Sequence, residues 1–130
     1  MNKITLDDRF MCKAISIDTG KFVEGLPVHI HCTNVVDTDR ICIMNKELGI
    51  VPIHLFSLCR YIGKIDSNGN RVYENDYVDW KSTAYYSNKP YLVKYNYDTC
   101  GFILVTERDR IPIFDSLEVT VVGNFYLEKE

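Results

Sequence analysis

Hydrophobic and polar positions along the chain alternate with the two-residue period of strands, and no segment sustains a helical period over two turns. Residues 10–18 put Phe10, Cys12 and Ala14 on one side and Met11, Lys13, Ile15 and Ile17 on the other. Both sides are partly apolar, which predicts a strand covered on each face. Asp18-Thr19-Gly20 turns the chain, and Lys21 to Cys32 returns as the partner strand. Gly25 and Pro27 within it predict a bulge or a sheet edge, because proline has no N–H to give a ladder. The polar run Thr33 to Arg40 reads as a loop, and Ile41–Met44 and Ile50–Ile53 as short strands around a turn at Glu47–Gly49. His54 to Cys59 fits either a single helical turn or irregular chain.

The stretch Tyr61 to Val78 organises the second half. Its centre, Asp66-Ser67-Asn68-Gly69-Asn70, joins two strands, and Asn68-Gly69 predicts a type I′ turn with both residues at positive φ. Glu74-Asn75-Asp76 then forms a corner that opens a strand with Val78 and Trp80 inward and Tyr77 and Asp79 outward. Lys81 to Pro90 is the longest loop. In the next strand Tyr91, Val93, Tyr95 and Tyr97 share a face, opposite Leu92, Lys94 and Asn96. Cys100-Gly101 turns into Phe102–Thr106, Glu107 to Arg110 is a charged turn, and Leu117 to Tyr126 closes the fold. The expected architecture is all-β: an N-terminal hairpin and small-sheet lobe, residues 1–62, packed as one compact unit on a C-terminal SH3-like β-barrel, residues 63–130.

Composition narrows the function. A hydrophobic fraction of 46% and a charged fraction of 25% are those of an ordinary globular chain. The net charge of −3 argues against general nucleic-acid binding, which draws its affinity from phosphate neutralisation, though it leaves room for a local basic patch. Met1 to Asp8 contains no long apolar run and nothing later is long enough to span a bilayer, so no secretory signal or membrane anchor is expected. Five cysteines, Cys12, Cys32, Cys42, Cys59 and Cys100, with no repeated close spacing, read as free thiols of a cytoplasmic protein.

Three pieces of the chain match one family pattern. Lys13 to Gly25 resembles the amino-terminal hairpin of the YopX-type family of phage and prophage proteins. Tyr61-Ile62-Gly63 through Asp76-Tyr77-Val78 is similar to that family's central Y-T-G-x-x-D-x-N-G-x-x-I-Y-E-G-D-x-V element, and Val121 to Tyr126 to its closing V-I-G-N-I-Y. The departures are Phe22 for the common Trp, Ile62 for Thr, and Asn75 for Gly, where asparagine also tolerates left-handed backbone angles. The resemblance implies a compact all-β protein encoded by a phage or an integrated element, which with the cytoplasmic reading above places it in the cytoplasm of a bacterial host. It implies no activity, substrate or catalytic residue.

Candidate chemistry is sparse. Asp66 to Asn70 superficially looks like a calcium loop, but the sixth and twelfth positions are Arg71 and Tyr77 instead of Gly and Glu. His29 and His31 share a strand face beside Cys32, with His54 and Cys59 as further ligand candidates, yet no spacing brings them together, and edge-strand histidines are the simpler account. Neither Cys59 nor Cys100 sits in a nucleophile motif, and Asp76 is expected to accept backbone N–H bonds at the corner. No catalytic residue, metal or cofactor is therefore expected, and Asn68, Gly69, Glu74, Asn75 and Asp76 are assigned to turns. The most informative feature is the series Tyr85, Tyr86, Lys89, Tyr91, Lys94 and Tyr95, with Lys81 and Tyr97 nearby, as a binding surface. The competing account packs Tyr91, Tyr95 and Tyr97 inside or against the first lobe. The expectation is a non-enzymatic protein that binds a protein partner through this face; the alternative is a nucleic-acid-binding accessory factor in phage replication or transcription. Exposed strand edges would also allow self-association.

Overall fold

The computed structural model describes residues 8–31, 39–80, 89–113 and 117–127, and among them every regular element beyond two single 3-10 turns is a β-strand. The chain divides into two compact units, residues 1–61 and 62–130.

In the first unit β1 (Cys12–Ile15), β2 (Phe22–His31), β3 (Asp39–Asn45) and β4 (Gly49–Pro52) form consecutive antiparallel pairs. Local polar side chains set the turns. Ser16 Oγ accepts from the backbone N–H of Asp18 and of Thr19, and Asn45 Oδ1 accepts from Glu47 and Leu48 at 2.9 Å each. Beyond the end of β1 a bridge pairs Ser16 with Ile53, and buried Ser57 Oγ accepts from Ile15 N–H at 2.8 Å while donating to His54 C=O at 2.6 Å. Cys12, Ala14, Val23, Ile43, Val51 and Ile53 make the core. The 3-10 turn at Leu55–Ser57 resolves the His54–Cys59 stretch in favour of a helical turn. Gly25 marks the point where β2 changes partner: Phe22–Gly25 pair with β1 and Leu26–His31 with β3. A Cβ at Gly25 would overlap the Met44 carbonyl, so close backbone approach, and no bulge, explains the glycine. Pro27 lies past the end of β1, where its missing N–H costs no bond to that strand.

β5 (Cys59–Ile65) pairs with β1 at its start and leads into the second unit. There β6 (Arg71–Tyr73), β7 (Asp76–Trp80), β8 (Tyr91–Asn96), β9 (Gly101–Val105), β10 (Arg110–Pro112) and β11 (Val119–Asn124) follow. β6 pairs back on β5, and the other five form an antiparallel sheet in the order β10-β9-β8-β7-β11, which among the described residues does not close on itself. Val72, Val78, Tyr91, Val93, Leu104, Ile111, Leu117 and Val119 fill the core, flanked by Ile62 and Trp80. Two local expectations change. Arg110 begins a strand instead of ending a charged turn, with Ile111 inward opposite Leu104. The Asp66–Asn70 turn is not type I′: Gly69 has φ 83° but Asn68 is not left-handed. The bonds Gly69 N–H to Asp66 C=O and Asp66 N–H to Asn70 C=O fit a type I turn followed by a left-handed glycine, one residue longer than the two-residue loop.

Asp66 decides that geometry. Oδ1 accepts from Asn68 N–H at 2.9 Å and Asn70 N–H at 2.8 Å, while Oδ2 accepts from Val121 N–H at 2.9 Å, on β11. Ser67 N–H adds a bond to Val119 C=O, so the hairpin tip is fastened to the last strand. Burial by itself raises the Asp66 carboxyl, but the donors from Val121, Asn70 and Asn68 outweigh it and hold the group below its ordinary 3.8. A carboxylate lowered on folding adds stability that is complete above the ordinary value and disappears as pH falls through the folded one. Asp66→Asn leaves one acceptor oxygen for three N–H groups. It should lower the unfolding free energy at neutral pH by about 1.5–3 kcal/mol, with the gap to wild type narrowing as pH falls below about 4. Urea unfolding followed by Trp80 fluorescence at several pH values measures this, and a gap that stays constant with pH would refute the charged role.

Candidate binding face

The corner between β6 and β7 sets the position of β8. Asn75 adopts φ 70°, its N–H donates to Val93 C=O and its C=O accepts from Phe125 N–H, both at 2.8 Å. Asp76 is fully buried: Oδ2 accepts from Tyr73 N–H at 2.8 Å and Oδ1 from the Asn124 amide at 2.9 Å. Asn124 Oδ1 in turn accepts from Tyr126 N–H. Asp76 is thus a structural acceptor, while Asp79 lies exposed on the same strand and Glu74 is half-buried at the corner.

On the sheet, register assigns the faces. Val93 opposes Leu104 and Tyr95 opposes Phe102 on the core side; Leu92 opposes Val105, and Lys94 opposes Ile103, on the other. β10 extends those outer rows, with Arg110 beside Val105 and Pro112 beside Ile103. At the β8 end of this outer face lies an open cavity of about 360 Å³, lined by Lys94, Tyr95, Asn96, Tyr97, Asp98, Ile103, Val105 and Arg110. Its floor is aliphatic, from Ile103 and Val105. Tyr97, just past the strand, is 80% exposed; its ring lies edge-on to Tyr95 at 4.8 Å, and Tyr95 meets Phe102 at 5.2 Å. Lys94 Nζ donates to Asn75 Oδ1 at 3.1 Å and stands 5.6 Å over the Phe125 ring, so the corner aims this cation. The Arg110 guanidinium makes no hydrogen bond or ion pair with any described residue.

The residues singled out from sequence separate on this frame. Lys94 and Tyr95 come together at the cavity, joined by Tyr97. Tyr91 does not belong to a surface: it is 1% exposed, opposite Val78 and edge-on to Trp80 at 5.8 Å, because it is the β8 residue over the middle of the core. Lys89 is exposed and 3.8 Å from Glu107, a surface pair of little energetic weight. Tyr85, Tyr86 and Lys81 lie outside the described residues, as do Cys32 and the side chain of His31. His29 is exposed on β2, and His54 stacks on Phe56 at 5.4 Å. Cys12, Cys42 and Cys59 are buried free thiols, and Cys100 is exposed in the turn before β9. Among the described residues no cluster of three His, Cys, Asp or Glu side chains could hold a metal ion. Arg110, Asn96, Asp98, Ile103 and Val105 escaped the sequence reading. The alternation Arg110-Ile111-Pro112-Ile113 is the signal that would have found Arg110.

Because Asn75 has both a backbone and a side-chain task, two substitutions separate them. Asn75→Gly should leave stability within about 1 kcal/mol of wild type, whereas Asn75→Val, strained at positive φ, should cost about 2 kcal/mol; thermal and urea melts of both decide. Comparison of the chain with protein-family models, with curated proteins and with solved structures returned no match in any of the three.

Proposed function

We propose that this chain is a non-enzymatic binding protein that engages a protein partner through the outer β8–β10 face of its second unit. The observation that carries this is the cavity on that face, which sets the cations Lys94 and Arg110 beside aliphatic Ile103 and Val105, with the exposed Tyr97 also on its lining. Apolar surface next to an exposed aromatic side chain gives a partner side chain somewhere to bury. The motifs at residues 13–25, 61–78 and 121–126 support assigning the chain to the YopX-type proteins of phages and prophages, acting in the bacterial cytoplasm. The SH3-like description of the second unit is supported by its short antiparallel strands and by Ile62 and Val72 of the β5–β6 hairpin packing into the same core as the sheet. Among the described residues no helix is long and apolar enough to cross a membrane.

A second reading, binding of single-stranded nucleic acid, draws on Lys94, Arg110 and Tyr97 sharing one cavity. Asp98 on the same lining and the net charge of −3 weigh against it. Peptides selected by phage display against the folded protein, then titrated into labelled protein and followed by amide shifts, test the choice. Shifts at Tyr95–Asp98, Ile103 and Arg110, and a roughly tenfold loss of affinity in Tyr97→Ala, are expected. Selected peptides that map elsewhere, or oligonucleotide binding that is tight and steeply salt-dependent, would count against the protein-partner reading.

A further inference from the structure

Building on that docking face, we infer that the partner presents an acidic side chain, carried in an extended segment next to an apolar residue, with its carboxylate against Arg110. Three observations converge. Arg110 lines the cavity with its guanidinium unengaged by any described residue, although a planar fork of donors is best matched by a carboxylate. Lys94, the other cation on the lining, is drawn towards Asn75 Oδ1 and the Phe125 ring, so Arg110 is the cation there without a hydrogen bond or ion pair to any described residue. Asp98, on the same lining, raises the cost of every negative charge brought in, so it weighs more heavily against a polyanion than against a single carboxylate. Beside these charges Ile103 and Val105 give the lining its aliphatic surface, in a cavity of about 360 Å³. Arg110 and Val105 are cross-strand partners, so carboxylate and apolar contacts fall on adjacent positions of one row. An extended peptide, whose side chains alternate, meets such a row with neighbouring residues only if one reaches over the strand edge. β10 is the sheet edge, which permits that.

The probe is an array of synthetic hexapeptides with a central Asp or Glu flanked by Leu, Val or Tyr, each matched by its Asn or Gln counterpart, with a dodecamer of oligothymidylate alongside. Acidic members should bind the wild type about tenfold more tightly than their amide twins at low salt. Arg110→Gln should level the two sets while leaving the amide set and the melting temperature unchanged, and Tyr97→Ala should weaken both sets together. Equal binding of acidic and amide members would overturn the carboxylate preference but leave peptide docking standing. No binding by any peptide would overturn both. Oligothymidylate binding tighter than any peptide, and lost in Arg110→Gln, would overturn the inference in favour of nucleic acid.

Discussion

Two buried carboxylates hold the second unit together. Asp66 joins the tip of the β5–β6 hairpin to Val121, and Asp76 joins the following corner to Asn124, so the middle and the last residue of β11 are tied by side chains to chain some fifty residues earlier. Each carboxylate is worth keeping only because its oxygens are matched by donors: buried charge without them costs several kcal/mol. Asp66 meets the requirement with three backbone N–H groups, and Asp76 with one backbone N–H and one amide. Since β11 pairs with the sheet along β7 alone, these bonds supply what a second neighbouring strand would have given its other side.

That arrangement also explains what could be read from residue order and what could not. Alternation located most strands, because each apolar face is a local pattern of period two. Asn75 was legible as a corner because only a few residue types tolerate φ 70°. The turn type was not, because Asn68-Gly69 scores as a two-residue loop until Asp66 claims the N–H groups of Asn68 and Asn70 and lengthens it. A bond from Asp66 to a backbone N–H fifty-five residues away leaves no trace in local sequence at all.

The candidate face was half legible for the same reason. Lys94 and Tyr95 stood out as types, but whether a tyrosine on β8 lines a surface or fills a core depends on what lies opposite. Tyr91 faces Val78 in mid-sheet and is buried, whereas Tyr95 faces Phe102 near the strand's end, where the core runs out. Arg110 was hidden inside a run of charges whose last member turns out to start a strand.

Corner and face are then one construction. Asn75 takes a left-handed conformation so that its backbone can bridge Val93 and Phe125, and that same twist turns its side chain towards Lys94. A lysine on an open sheet face is ordinarily free to sweep through many rotamers, and ordering it on binding costs up to about 2 kcal/mol. Here the bond to Asn75 and the Phe125 ring have already narrowed that choice. Arg110, on a three-residue edge strand of the same lining, has no such contact with any described residue, so the fold orders one of the two cations there and leaves the other adaptable.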